Sequence, residues 1–190
     1  MKNTLRLAIL ALFISCSLWA SADDVTDAIN EGISAYKEGA YSKAASQLEY
    51  AASLVRQKKA EEILAVFPDA LSGWTASEAK SESAGAAMFG GGITASRSYS
   101  KDDTRIDIEM IMDSPMLASM AGMFSNPSLI TMNGGKLIQV QGQQGILNEQ
   151  SGNPEVMLMV NNNAMFTLRG SNASTDDVKA YAEALRLNKL

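Results

Sequence analysis

The chain reads as an α+β protein: an N-terminal helical hairpin, then an antiparallel sheet with a short methionine-rich helix and a C-terminal helix. Three observations predict it. Residues 24–67 are rich in Ala, Glu, Lys and Leu, with apolar positions at three- and four-residue steps. Residues 93–170 break into short alternating stretches separated by turn residues. Residues 174–190 return to helical spacing behind a serine cap.

The first 22 residues stand apart. Lys2 and Arg6 precede an unbroken apolar run, Leu7 to Ile14, and Ala20-Ser21-Ala22 offers small residues at the spacing signal peptidase cleaves. Residues 1–22 are therefore expected to be a signal peptide cleaved after Ala22, leaving Asp23 as the N-terminus of a periplasmic or secreted protein. The apolar run is shorter than the roughly 20 residues a membrane span needs. Cys16 offers an alternative, a lipid-modified cysteine at the end of the apolar run, suited by Ser15 but not by Phe13. With cleavage after Ala22 the mature chain holds no cysteine, hence neither disulfide nor thiol chemistry. Losing Lys2 and Arg6 leaves 14 basic and 21 acidic residues, a formal charge of −7. That balance disfavours nucleic acid and anionic headgroups as partners. The absence of histidine removes the commonest general base and metal ligand together.

The expected hairpin covers residues 23–67. It is broken at Gly39-Ala40, and its second helix is expected to start at Ser42 as N-cap and to end before Phe67-Pro68. Ala45, Leu48, Ala52 and Val55 form one apolar stripe on it. Over residues 25–57, the positions of Gly32, Ala35, Tyr36, Gly39, Tyr41, Ala44, Leu48 and Ala51 resemble a single tetratricopeptide repeat. The resemblance implies two closely approaching antiparallel helices, with Gly32, Tyr36 and Tyr41 in contact or docking positions. The chain departs from the family in three ways: no proline closes the unit, the second helix runs on, and no second copy follows. A lone repeat cannot bury its own face. The hairpin must then either pack on its own sheet domain or dock a partner, an envelope protein or a second copy.

Residues 68–190 are expected to form the sheet domain. In "TRIDIEMIMD", Ile106, Ile108, Met110 and Met112 point one way and Arg105, Asp107 and Glu109 the other, a half-buried strand. "ITASRSYS" before the turn residues Lys101-Asp102-Asp103 supplies its hairpin partner. "GKLIQVQG", "GILNEQ", "EVMLMV" and "AMFTLRG" read as further strands, with "SGNP" and "NNN" as turns. "STDDVKAYAEALRLNKL" closes the chain as a helix capped by Ser174 with Asp177, its buried stripe Val178, Ala182 and Leu185. This succession of turn-linked strands and a terminal helix resembles small exported PsbP/Mog1-like α+β proteins.

Three local patterns invite a catalytic reading, and each is better explained without one. Ser77-Glu78-Ala79-Lys80 matches S-x-x-K, but the partner motifs S-D-N and K-T-G are absent. Gly90-Gly91-Gly92 runs into a strand rather than a helix start, so it lacks the rest of a phosphate site. Asp102, Asp103, Asp107 and Glu109 show no calcium-loop spacing. No enzyme, cofactor or catalytic residue is expected.

"MIMDSPMLASMAGMF", residues 110–124, holds five methionines. Met110 and Met112 belong to the strand. Asp113-Ser114 then caps a short uncharged helix with Pro115 in its first position, ending at Ser125-Asn126-Pro127. Met116, Met120 and Met123 form one stripe, expected to face the sheet; Leu117, Ala121 and Phe124 form a second beside it. Met116, Met120, Met123 and Phe124 are thus candidates for an apolar groove, because thioethers fill irregular space and adapt to varied partners. Met116, Met120 and Met123 are also candidate copper(I) ligands, although such sites usually add His or Cys. The function expected is an exported, non-enzymatic interaction or assembly module; the alternative is a carrier of a small apolar ligand or of copper(I).

Overall fold

The computed structural model describes residues 23–84, 92–124, 126–132, 134–149 and 153–190. The expected signal peptide and Gly90-Gly91 lie outside the described residues.

Helices α1 (Asp24–Lys37) and α2 (Tyr41–Glu62) form the hairpin, and a 3₁₀ turn, Ile63–Val66, extends it. Asp23 caps α1 by accepting from the Val25 amide, and Asp24 and Asp27 complement the positive end of its dipole. Gly39, at φ +76°, makes the reversal. Helix α2 starts at Tyr41 with no side-chain cap, so Ser42 lies inside the helix rather than at its N-cap. Small residues set the approach: Ala28, Gly32 and Ala35 of α1 are buried, as are Ala44 and Ala51 of α2. A Cβ built on Gly32 would stand 3.0 Å from the Leu48 side chain.

Strands β1 (Thr75–Ala76), β2 (Lys80–Ala84), β3 (Gly92–Lys101), β4 (Thr104–Met112), β5 (Gly135–Val140), β6 (Gln143–Asn148), β7 (Glu155–Val160) and β8 (Ala164–Ser171) build one antiparallel sheet. Its order is β1-β3-β4-β8-β7-β6-β5, with β2 also paired to β3. Between β4 and β5 lie α3 (Met116–Phe124) and α4 (Pro127–Met132), and α5 (Thr175–Ala184) follows β8. The fold is therefore α+β, with the hairpin, the methionine-rich helix and the C-terminal helix in the expected order. Sequence reading passed over β1, β2 and α4. Strand β2 has serine and charged residues rather than alternation, and α4 opens on Pro127, read as a stop, while Asn126 Oδ1 caps it from the Ser128 and Leu129 amides.

One sheet face carries the main core. Ile106, Ile108, Met110 and Met112 of β4 register with Leu168, Phe166 and their neighbours on β8, then with Val156, Leu158 and Val160 on β7. Helix α5 covers this face with Val178, Tyr181, Ala182 and the following Leu185, and Ser174 with Asp177 forms the capping box. The end of the hairpin enters the same core through Ala60, Ile63, Val66 and Phe67. The Tyr99 and Tyr181 rings meet at 4.3 Å. The Tyr99 hydroxyl donates to the Pro68 carbonyl at 2.8 Å, and burial pushes its phenol pKa up.

Candidate functional site

Two uncovered or loosely covered regions compete for function. The first is the hairpin. Of eleven large hydrophobic side chains exposed among the described residues, seven are Ile29, Ile33, Tyr36, Tyr41, Leu48, Tyr50 and Val55, all in α1 and α2. That concentration marks the hairpin rather than the sheet domain as the apolar surface. In α1, Ile29, Ile33 and Tyr36 stand at i, i+4 and i+7; in α2, Tyr41, Leu48 and Val55 stand at i, i+7 and i+14, again along one side of the helix. Each stripe is rotated the same way from its helix's buried alanines. Because the helices run antiparallel, both stripes fall on one side of the hairpin. Tyr36 and Tyr41, 64% and 66% exposed, bring their ring centroids to 5.6 Å at the turn. Tyr50 lies on the other side of α2.

The expected apolar stripe Ala45, Leu48, Ala52 and Val55 is thus real, but it is not the side that packs. Ala44 and Ala51 take that role, since only small side chains allow the close approach that Gly32 marks. The face ends at Lys59, whose ammonium donates to Asp113 Oδ2 at 2.6 Å.

The second region lies on the opposite sheet face. Helices α3 and α4 cover it near Ile111, Ile146, Met157, Met159 and Met165, forming a small cluster separate from the main core. The helix phase differs from expectation. Leu117 is 2% exposed and Phe124 is buried, Met120 is half-buried, and Met116 is 47% exposed. The inward line is therefore Leu117–Phe124, and Met116 faces solvent; the Met123 side chain lies outside the described residues. The cause is tertiary. Asp113, at φ +56°, is held by Lys59, by the Asn163 side chain at 3.1 Å and by its own amide on the Asn163 carbonyl at 3.0 Å. That anchor fixes the angle at which the helix leaves the sheet. Beneath it lie Met157, Met159 and Met165, and the helix adds Leu117 and Phe124 to the cluster, with Met120 packed at its edge.

The rest of this face is open and polar, and its charges are paired. Arg169 bridges Glu155 at 2.7 Å and Glu109 at 3.1 Å. Arg105 holds Asp107 at 2.7 Å, and the Ser98 hydroxyl donates to the same carboxylate at 2.5 Å. The Arg105 guanidinium, seconded by Ser98, holds the Asp107 carboxyl below its ordinary range despite opposing burial. The Arg169 pairs and the Ser98–Asp107 bond tie neighbouring strands, whereas Arg105 and Asp107 sit two residues apart on β4. Asp102 and Asp103 form the β3–β4 turn, away from them. Ser77 Oγ accepts from the Ser98 amide at 3.1 Å and donates to the Glu78 carbonyl, so its bonds run to backbone. Gly92 opens β3. Among the described residues no group of three or more His, Cys, Asp or Glu could hold a metal ion. No helix of the described residues is long and apolar enough to cross a membrane.

Ile29 and Ile33 are the site residues the sequence reading missed. Their spacing with Tyr36 carried the signal, which the repeat-like positions of Gly32 and Ala35 drew away.

Neither a family model nor a curated protein matches the chain. Among solved structures, a GTP-binding regulator from Thermotoga maritima is similar at 10% identity over 70% of this chain and 86% of that chain. The TM-score is 0.38, too low to carry a functional argument.

Proposed function

We propose that this is an exported, non-catalytic protein that docks another protein through the uncovered side of its helical hairpin. One observation carries the reading: Ile29, Ile33, Tyr36, Tyr41, Leu48 and Val55 are exposed together on one side of a two-helix unit. Contiguous apolar surface of more than a few hundred Å² is uncommon on a monomer and marks interaction sites. Tyrosine is enriched at interfaces because a large apolar ring and a wet hydroxyl share one rigid side chain. The sheet domain serves as the anchor, gripping the end of the hairpin through Ala60, Ile63, Val66 and Phe67. Export rests on Lys2, Arg6, the apolar run and Ala20-Ser21-Ala22.

A photoreactive amino acid installed at Tyr36, Tyr41 or Leu48 in living cells tests the docking role. Cross-links to protein are expected from these positions and not from Ser100 or Glu183 on the sheet domain. Equal labelling from both sets, or none from the hairpin, would overturn it. Mass spectrometry of the purified N-terminus tests export: Asp23 is expected, and a lipid-modified Cys16 would refute cleavage after Ala22.

A second reading has its own observation. Ala121, Phe124 and Met159, with Gln143, Gln144, Asn161 and Asn162, border a cavity of about 440 Å³ at the edge of α3. That volume is in the range of small-molecule sites, with Phe124 and Met159 on its apolar side and four side-chain amides around the rest. A fluorescent fatty acid that brightens with the wild-type protein and not with Phe124→Asp would support a carrier of small apolar ligands. Competition against a copper(I) chelator, with Met116→Leu and Met120→Leu as controls, tests the metal form of that reading.

A further inference from the structure

The exposed stripe of α2 alternates large and small side chains: Tyr41, Ala45, Leu48 and Ala52. At 100° per residue they stand within roughly 60° of one another, forming a row of knobs and gaps. That row is complementary to itself. Laid antiparallel on a second α2 about a two-fold axis between Ser46 and Gln47, Tyr41 falls opposite Ala52 and Leu48 opposite Ala45. Gly32 lies against Ala44 and Leu48, so the same axis crosses α1 close to Gly32, between Ile29 and Ile33–Tyr36. Large meets small along α2, and the exposed side chains of α1 from the two copies meet on either side of that point.

Charge and area favour the same occupant. The stripe carries no charge until Lys59, and that lysine is committed to Asp113. In an acidic chain, an uncharged face is where two copies approach with least repulsion. Two largely exposed tyrosines and four partly exposed aliphatic side chains offer on the order of 600 Å² per copy, near the lower limit for a specific interface. A two-fold axis across the helices puts the two turns at opposite ends, and every neighbouring helix pair then runs antiparallel.

We propose, resting on the docking function above, that the hairpin face is covered by a second copy of this chain, the two hairpins packing about a two-fold axis into a four-helix bundle. The bundle would hold the two sheet domains at opposite ends, each gripping its own hairpin.

The test is the oligomeric state of the purified full chain by light scattering coupled to size exclusion. The expected mass is twice that of the chain, falling to the single-chain mass in Leu48→Glu and in Ala45→Glu. Ala45 touches no core, so its variant keeps the test valid if Leu48→Glu loosens the hairpin; far-UV circular dichroism checks both. In a Cys16→Ser background, Tyr41→Cys combined with Ala52→Cys is expected to give a covalent dimer under mild oxidation. The two positions are about 16 Å apart along one helix, so the disulfide can only join copies. Either cysteine alone should give far less. A wild type that stays at the single-chain mass at about 100 μM, well above the affinity of a functional dimer, overturns the proposal. If hairpin cross-links to a protein of another mass persist in that case, docking stands and self-association alone falls. If they are absent too, both fall.

Discussion

Gly32 is the position where the hairpin is most exacting. A Cβ there would stand 3.0 Å from both Leu48 Cγ and Cδ2 and 3.5 Å from the Ala44 carbonyl oxygen. The carbonyl is ordinary contact distance; the leucine is tight by a few tenths of an ångström. Leu48 is nearly half exposed, so it can swing outwards at little cost. Gly32→Ala therefore trades a small displacement against the roughly 1 kcal/mol by which alanine exceeds glycine as a helix former. It should be neutral to mildly stabilising. Gly32→Leu is different, because three further carbons must enter the space between α1 and the Ala44–Leu48 turn. Overpacking of this kind costs about 1–3 kcal/mol. At this chain length each kcal/mol moves the melting temperature by about 2–4 °C. Thermal melts by circular dichroism, with amide exchange over residues 24–37 to catch local opening of α1, provide the readout. The expected order is alanine at or slightly above wild type and leucine below it. A leucine variant with unchanged melting and unchanged α1 exchange would show that the helices do not meet at Gly32.

Two further variants address the rest of the molecule. Leu117→Ala should cost about 2–5 kcal/mol as a buried large-to-small change, whereas Met116→Ala should stay within about 0.5 kcal/mol, both read by urea denaturation; equal costs would refute the helix phase. Asp107 has a folded pKa below its unfolded value, so its stabilising contribution is present above about pH 4 and is lost as pH falls through the folded pKa. Asp107→Asn should flatten the acid limb of the stability–pH curve below pH 4, modestly because the group is partly exposed, and an unchanged limb would count against the Arg105–Asp107 pairing.

Much of the candidate site was legible locally, and its limits are physical. Strands β3 to β8 announce themselves by alternation or by continuous apolar runs between turn residues, because each strand's side chains take opposite faces whatever lies above them. Helix α5 is written in its own cap, and Leu117 and Met116 share a helix that its flanking prolines delimit. Strand β2 was not legible: "KSESA" has no apolar period, and it is a strand because β3 offers it an edge.

Periodicity, caps and turn residues suffice for the α+β class and for the order of the strongly patterned elements, and the repeat-like resemblance implies the close approach at Gly32. Which stripe of each helix is covered emerges in the folded structure. Ala45, Leu48 and Val55 look as core-like as Val178 and Ala182 on a helical wheel, yet the first set meets solvent and the second meets the sheet. Likewise Met116 and Leu117 differ only by their angle around one helix, and that angle is set by Asp113 through contacts with Lys59 and Asn163, 54 and 50 residues away in the chain. Apolar spacing says that a helix has a side to bury; which side finds a surface depends on groups distant in sequence, and those meet only once the chain has folded.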